Sequence, residues 1–445
     1  MSYHLFGTTR SIELKNEFGL IIGLFDEIGL IRSGAESQTR GSEAEVAIQN
    51  FPPSQQLQVL GIKPSDSNSS HNKEDSTMVP TKNVFIGIIG VGGVGKCFLS
   101  QLEVLSKRLA KNPSSPKLSL VLVSRSSKVL YSPEYQALPF ESLATKVTES
   151  TQKPLSLTEA IDFLSAAPSN AILVDNTSSQ DVADQYPQAL SKGVSIITPN
   201  KKAFSGSYKL WQDIFSAAAS SGAKIYHESS CLAGLPVIST LKDLVETGDE
   251  VTRIEGVFSG TMSFLFNSFA PLEGSGGKWS AEVSKAKELG YTEPDPRDDL
   301  NGLDVARKLT ILARMAGLPV ESPTDFPVQS LIPKELESIE SGDQFMQELP
   351  KYDSQMEDLK VAAEKEGKVL RYVGSIDVAK KEIKVGLEKF DRSHPIAALK
   401  GSGNSISFFT KRYGADPMIV SGAGAGGEIT AMGVTGDLIK VLERL

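Results

Sequence analysis

The chain has 445 residues, of which 40% are hydrophobic, and a formal net charge of −8. This mild acidity argues against nucleic acid as a partner, and a chain of this length can fold without disulfides or structural metals. Its two cysteines, Cys97 and Cys231, form neither a disulfide framework nor a zinc pattern, which favours a reducing, cytoplasmic compartment. No apolar run reaches about 18 residues, so neither a transmembrane helix nor a membrane partner is expected.

The N-terminal region, 1–83, is expected to be a poorly ordered extension and linker. Residues 62–82 are rich in Ser, Asn and Lys, and such a segment buries too little apolar surface to offset the entropy of ordering. Met78 lies shortly before the first clear strand, so the functional chain is expected to begin near it. A regulatory segment is the alternative interpretation.

From Val84 onward, short apolar runs alternate with helical stretches, which predicts an α/β fold with a Rossmann doubly wound parallel sheet over 84–235. A helix is expected from the glycine-rich loop after the first strand to about Leu109. The predicted strands are Val84–Ile89, Leu118–Val123, Ala171–Val174 and Val194–Ile197.

The loop after the first predicted strand matches the G-x-G-x-x-G pattern. One glycine makes the tight turn, one lets the backbone approach a pyrophosphate, and one lets helix and strand pack closely. The following helix offers free N–H groups and a positive dipole end to the anion. Because the loop sits between a buried strand and a helix, it predicts a nicotinamide dinucleotide site at Gly90, Gly92, Gly93, Val94 and Gly95.

The end of the second predicted strand indicates which nicotinamide cofactor is used. An acidic residue at this place would bind the ribose 2′-hydroxyl of NAD, but the chain has Ser124–Lys128 (SRSSK) without a carboxylate. Arg125 could pair with a 2′-phosphate, which favours NADP over NAD. A solvated basic turn is the alternative interpretation.

After about Pro236 the pattern changes to longer helices mixed with strands, including Val251–Phe258 and Glu382–Glu388, which predicts a second α/β domain over 236–421. The segment of this domain that is richest in candidate catalytic and binding residues is Gly290–Lys308. Its prolines exclude a helix at first, and a helix can begin after Asp299 or Asn301, both of which are good N-caps.

Asp304 and Lys308 are then four residues apart on one face of that helix. The segment could hold a substrate ammonium with carboxylates while the lysine handles a proton. A surface ion pair contributing about 0.2–0.5 kcal/mol is the simpler interpretation, favoured by the spacing alone.

Several segments together resemble homoserine dehydrogenase, in particular its short, monofunctional fungal type, over about 84–445. The glycine loop is shared by many families, whereas TPNKKAF and the Gly290–Lys308 block are specific. The segments are Asp175–Ser179, Thr198–Phe204, Tyr226–Glu228, Glu255–Thr261, Gly290–Lys308 and Gly422–Gly426.

The resemblance implies reversible hydride transfer between a nicotinamide cofactor and L-aspartate 4-semialdehyde, which gives L-homoserine in threonine, methionine and isoleucine biosynthesis. It implies Lys308 as the catalytic acid and base. Glu293 and Asp304 would bind the substrate, most plausibly its α-ammonium group. Lys202 would lie near both the substrate and the cofactor.

Further cofactor contacts and the assembly follow from the same resemblance. Thr177 and Ser178 would touch the nicotinamide side of the cofactor. Gly426 would return to the cofactor site, so the C-terminal helix, within 422–445, would complete the Rossmann domain. The domain 236–421 would bind the substrate and form a homodimer.

The resemblance also implies a monovalent cation, with sodium as the expected ion, bound by the Glu228 carboxylate and the carbonyls of Cys231, Ala233 and Leu235. Hard oxygen ligands suit such an ion. The family usually has glycine where this chain has Leu232. If that position requires a positive φ, leucine would strain the loop.

Two rival functions remain open at this stage. One is an aldehyde dehydrogenase that uses a covalent thiohemiacetal, for which Cys231 is the candidate nucleophile. The other is a catalytically inactive cofactor sensor, against which the intact substrate residues argue. His227 and Cys97 are interpreted as structural residues.

Overall fold

The computed structural model describes residues 82–445. The expectation of a poorly ordered extension over 1–83 therefore lies almost wholly outside the described residues. Within the described part, Asn83 already begins the first strand.

A six-stranded sheet forms the first half of the described chain, in the spatial order β3-β2-β1-β4-β5-β6. Neighbouring strands are parallel except for the antiparallel pair of β2 and β3. The strands are β1 Asn83–Ile89, β2 Lys117–Arg125, β3 Lys128–Tyr131, β4 Ala171–Asp175, β5 Ser195–Ile197 and β6 Ile225–Tyr226.

This sheet confirms the predicted doubly wound architecture. Residues 84–89 of β1 and all of β4 are buried, as expected for strands covered on both faces. The hairpin to β3 was not predicted, because its turn residue Ser126 takes a left-handed φ of 49° that serine adopts only occasionally.

The helices of this half cover both faces of the sheet. The longest, α1, begins directly at the glycine loop and ends at Leu109, as predicted. These helices are α1 Gly93–Leu109, α2 Leu143–Glu149, α3 Leu157–Ser165, α4 Gln180–Ala183, α5 Tyr186–Ser191, α6 Lys202–Ser205 and α7 Tyr208–Ser221. Across residues 82–445, no helix is both long and apolar enough to cross a membrane.

A five-stranded antiparallel sheet forms the second half, in the order β11-β10-β7-β8-β9. The predicted strands near 251 and 382 are two of its members. Its strands are β7 Val251–Val257, β8 Lys368–Asp377, β9 Glu382–Asp391, β10 Gly403–Thr410 and β11 Met418–Ala423. Since β11 runs to Ala423, this sheet extends past the expected limit at 421.

Helices pack on the second sheet through an aromatic cluster. Trp279 lies between Phe266 and Phe269, with ring centroids 5.3 and 5.4 Å away. The helices are α8 Ser229–Leu232, α9 Val237–Glu246, α10 Gly260–Phe269, α11 Trp279–Glu288, α12 Arg297–Leu300, α13 Leu303–Met315, α14 Gly342–Glu348 and α15 Asp353–Glu364, with 3₁₀ turns at Lys334–Leu336 and Leu349–Tyr352.

The last helix, α16 (Gly427–Leu442), leaves the second sheet and packs against α1 of the first. Its buried residues Val434 and Leu438 share one apolar cluster with Phe98 and Leu102. The chain therefore contributes its C-terminus to the core of its nucleotide-binding half.

We predict that Leu438→Ala lowers the free energy of unfolding by about 2–5 kcal/mol, because Leu438 is fully buried between α16 and α1. Urea denaturation of the full chain measures this change. Met432 on the same helix is 49% exposed, so Met432→Ala should change stability by less than about 0.5 kcal/mol. Equal losses in the two variants would contradict the packing of α16.

Candidate active site

The glycine loop has the geometry of a phosphate cradle. Gly90 has a φ of +93°, and a methyl group added at Gly95 would lie 2.1 Å from the carbonyl oxygen of Gly90. At Gly92 and Gly93 no protein atom lies within 4 Å of such a methyl group, so the backbone is open on that side. Val94 follows as the second residue of α1. The turn and the helix N-terminus thus fit a dinucleotide pyrophosphate.

The end of β4 lies beside this loop, because β1 and β4 are parallel neighbours. A methyl group at Gly90 would lie 2.8 Å from Cγ2 of Thr177, so the two loops are in close contact. Thr177 is held by its own N–H, which donates to Oδ1 of Asp175 at 2.8 Å. Thr177 is half-buried and Ser178 is exposed. Both lie at the carboxyl ends of the strands, where ligands of such sheets bind.

A buried network around Asp175 joins the ends of β4 and β5. The hydroxyl of Tyr186 donates to Oδ2 of Asp175 at 2.5 Å, and the Nδ2 group of Asn200 donates to the same oxygen at 3.0 Å. Thr198 Oγ1 donates to the backbone carbonyl of Asp175 at 2.9 Å. Burial, reinforced by the Asp175 carboxylate, raises the pKa of Tyr186, so its phenol stays a donor. Sequence reasoning missed this network, which fixes the start of the TPNKKAF segment.

Lys308 is a buried residue of α13, not half of a surface ion pair. Its ammonium lies 2.6 Å from Oδ2 of Asp304 and donates to the carbonyl of Phe258 at 2.6 Å. The simpler interpretation of the Asp304–Lys308 spacing is therefore wrong, because only 7% of the lysine side chain is exposed. The cap of α13 also differs from the expectation: Gly302, with a φ of 74°, takes that place instead of Asp299 or Asn301.

The carboxylate of Asp304 is shared by two lysines. Lys201 Nζ approaches Oδ1 at 3.4 Å, on the other side from Lys308. Desolvation by itself would raise the pKa of Asp304, whose side chain is 44% exposed, but the two ammonium groups outweigh it and hold the pKa well below its usual range. Asp304 is therefore ionised at every physiological pH.

The lysine that reaches Asp304 from this segment is Lys201, the residue before Lys202. Lys202 is exposed and is the first residue of α6, whereas Lys201 precedes the helix. Adjacent residues of a helix point about 100° apart, so only one of the two can face a given group. The sequence pattern TPNKKAF contains both and does not distinguish them.

Asp299 holds the backbone of the segment before α12 that carries Glu293. Oδ2 of Asp299 accepts the backbone N–H of Glu293 at 2.8 Å, and its Oδ1 accepts the hydroxyl of Thr261 at 2.9 Å. The Glu293 side chain itself is exposed. The expectation of an extended segment fails after Pro296, which is the N-cap of the one-turn helix α12.

Arg314, a residue that sequence reasoning did not single out, docks α13 onto the first half of the chain. Its buried guanidinium donates to the carbonyls of Phe204 at 2.6 Å, Gly206 at 2.5 Å and Val320 at 2.9 Å. These bonds lie at the opposite end of α13 from Asp304. The helix is thus attached at both ends to the segment that follows β5.

The late glycine cluster returns to the glycine loop. Gly426 has a φ of 114°, and a methyl group at Gly427 would lie 3.3 Å from Sγ of Cys97 and 3.7 Å from the carbonyl oxygen of Gly93. Arg125, the last residue of β2, is exposed at the same edge of the sheet. The start of α16 therefore lies beside the glycine loop at the N-terminus of α1.

Comparison with known proteins identifies this arrangement. Residues 90–228 match the family described as the NAD-binding domain of homoserine dehydrogenase, and residues 236–439 match the homoserine dehydrogenase family. A homoserine dehydrogenase of Emericella nidulans is 60% identical, over 81% of this chain and 99% of that protein. The chain belongs to the homoserine dehydrogenase family.

Two solved structures share its fold. A protein of unknown function from Candida auris is 46% identical and covers 82% of this chain and 99% of its own, with a TM-score of 0.76. A hyperthermophilic archaeal homoserine dehydrogenase in complex with NADPH is 21% identical, covers 82% and 98%, and has a TM-score of 0.61. The family resemblance is confirmed, and the chain is an NAD(P)-dependent oxidoreductase that acts on a CH–OH group.

The loop after β6 carries the residues expected to bind a cation in this family. The buried Glu228 carboxylate accepts the N–H of Ile238 at 2.7 Å. Leu232 is buried in the short helix α8, and the positive φ of 47° belongs instead to Ala233. The expected strain at Leu232 is therefore absent, and the unusual backbone lies at one of the proposed ligand carbonyls.

Cys231 and His227 do not have the properties of catalytic groups. Burial raises the pKa of the Cys231 thiol to about 12, although nearby lysines act in the opposite direction. Burial lowers the pKa of His227 to about 3, and its neutral ring stacks on Phe204 at 3.9 Å. A neutral, 1% exposed thiol is a poor nucleophile, which argues against the thiohemiacetal rival.

We predict that Lys201→Ala impairs homoserine oxidation much more than Lys209→Ala does. Removing Lys201 takes one of two counter-ions from Asp304, which should lower kcat/KM by roughly tenfold or more, the effect of losing about 1.4 kcal/mol. Steady-state kinetics on both purified variants measure this change. Lys209→Ala is the control for a lost lysine charge, because Lys209 is 73% exposed and pairs with Asp213 on α7. Equal losses in the two variants would contradict the role of the Lys201–Asp304 pair.

Proposed function

We propose that this chain reduces L-aspartate 4-semialdehyde reversibly to L-homoserine, with Lys308 as the catalytic acid. The observation that carries this proposal is the buried Lys308 ammonium, held between the Asp304 carboxylate and the Phe258 carbonyl. A buried ammonium with fixed partners is a well-oriented proton donor. The bound nicotinamide cofactor supplies the hydride.

The residues of this site have different roles in the proposed reaction. As hydride reaches the aldehyde carbon, the carbonyl oxygen gains negative charge and takes a proton from Nζ of Lys308. In the oxidation direction the neutral lysine accepts that proton from the hydroxyl of homoserine. Asp304 keeps the ammonium oriented and, with Glu293, offers negative charge to the substrate α-ammonium. Lys201 pairs with Asp304, and Lys202 is proposed to lie near both the substrate and the cofactor.

We predict that Lys308→Ala lowers kcat by about 10²–10⁴-fold, the usual contribution of a positioned general acid. Loss of absorbance of NADPH with L-aspartate 4-semialdehyde measures turnover. Lys308→Arg keeps the positive charge but cannot release a proton near neutral pH, so it should be similarly inactive. Full activity of either variant would refute the role of Lys308.

We further propose that NADP is the preferred cofactor and that Gly90–Gly95, Thr177, Ser178 and Gly426 surround it. The open backbone of the glycine loop and the absence of a carboxylate at the end of β2 support this. The related archaeal enzyme was solved with NADPH bound. NAD remains possible as a second cofactor.

Arg125→Ala should lower kcat/KM with NADPH by roughly tenfold or more, through loss of a charge-assisted contact of about 1.5–3 kcal/mol, and leave kcat/KM with NADH nearly unchanged. Parallel assays with the two cofactors measure this change. Arg108→Ala, at the far end of α1, is the control for a lost surface charge. An unchanged preference in Arg125→Ala would contradict the proposal.

A monovalent cation, sodium in the first instance, is proposed at Glu228 with the carbonyls of Cys231, Ala233 and Leu235. The donors are all oxygens, which suits a hard ion. Bound there, the cation would neutralise a buried carboxylate and stiffen the loop between the two halves of the chain.

The assembly proposed is a homodimer formed through 236–421, in the cytoplasm. The last strand in the second sheet, β11, lies at its edge, and Ile419 on it is 45% exposed. An edge strand with exposed apolar residues is suited to a partner surface. Light scattering after size-exclusion chromatography gives the mass in solution.

A further inference from the structure

Three hydrogen-bond donors hold the carboxylate of Glu228 within the described residues. Oε1 accepts from the backbone N–H of Ile238 at 2.7 Å and of Ser239 at 3.2 Å. Oε2 accepts from Ser239 at 3.2 Å and from the ammonium of Lys440 at 3.2 Å. The Ser239 N–H is shared between the two oxygens, so three donors hold the carboxylate, and Lys440 is the charged one among them.

Asp437 places a second buried carboxylate beside the same lysine. Its Oδ1 lies 3.0 Å from Nζ of Lys440, and its Oδ2 accepts the backbone N–H of Glu228 at 2.8 Å. The side chains of Asp437 and Glu228 are 2% and 6% exposed. Two carboxylates face one ammonium here, so the ionised group retains one negative charge that a further monovalent cation could balance.

Lys440 is also the most exposed member of this group. Its side chain is 37% exposed, and it lines a cavity of about 430 Å³ bounded by α7, α9 and α16. The ring of Tyr226 lies 5.8 Å from its ammonium and offers a cation–π surface. The ammonium can therefore turn from Glu228 into the cavity while it keeps its contact with Asp437.

We propose that Lys440 is a tethered ammonium that competes with monovalent metal ions for the Glu228 carboxylate. In the absence of such an ion Lys440 neutralises Glu228; when one binds, Lys440 turns toward Asp437 and the cavity. Lys440 thereby lowers the affinity of the site for metal ions. This inference rests on the cation site proposed above, but not on the assignment of the reaction.

The test is the thermal midpoint of the full chain, titrated with NaCl at constant ionic strength against choline chloride. Choline is too large for the loop, so the difference reports specific sodium binding. In Lys440→Met the NaCl concentration that gives half of the stabilisation should fall at least about tenfold relative to the unaltered chain. Lys440→Arg should retain the weaker sodium affinity, because its charge still reaches Glu228.

Lys242→Met is the matched control. Lys242 lines the same cavity, 5.9 Å from the Tyr226 ring, and pairs with Glu246, so its loss removes charge without freeing Glu228. It should leave the sodium midpoint unchanged. If Lys440→Met is poorly folded, the Asp437→Asn, Lys440→Met double variant removes the unbalanced acid and makes the same comparison.

The possible outcomes distinguish the competition by Lys440 from the cation site and from the reaction. The same sodium midpoint in Lys440→Met as in the unaltered chain would overturn the competition and leave the cation site standing. The absence of any difference between sodium and choline, in every variant, would overturn both. Turnover of aspartate semialdehyde in choline chloride, measured on the same preparations, tests the reaction independently.

Discussion

The Asp304 carboxylate connects the two halves of the active site. It forms ion pairs with Lys308 of its own helix and with Lys201 of the loop after β5 in the first sheet. A buried ammonium is costly without a counter-ion, and this carboxylate offsets the burial of Lys308. Because Lys201 pairs with the same group, the position of the proposed proton donor is coupled to the first sheet. Reaction chemistry and domain packing therefore share one ion-pair cluster.

Two further networks keep that cluster in place. The buried Asp175 group, with Tyr186 and Asn200, fixes the backbone just before Lys201. Arg314 attaches the other end of α13 to the carbonyls of Phe204 and Gly206. Backbone carbonyls are insensitive to side-chain substitution, so this attachment tolerates sequence change in the loop. The site is thus supported on both sides by bonds that take no part in the reaction.

The C-terminal helix links the cofactor end of the molecule to the loop of Glu228. Its start lies against the glycine loop, with Gly427 close to Gly93, and its last turns carry Asp437 and Lys440 to Glu228. A helix of sixteen residues acts as a rigid connector over this distance.

The sequence by itself determined the fold class, the glycine loop, the major strands and the segments that carry the chemistry. Those features are local: buried strands, glycine spacing and a helical interval of four residues are set by neighbours in the chain. Only the tertiary structure decided that Lys308 is buried, that Lys201 rather than Lys202 meets Asp304, and that Lys440 reaches Glu228. Each depends on groups far apart in sequence, such as residues 228 and 440, whose meeting is set by the packing of helices on sheets. Burial and ionic partnership are properties of that packing, and no spacing within one segment encodes them.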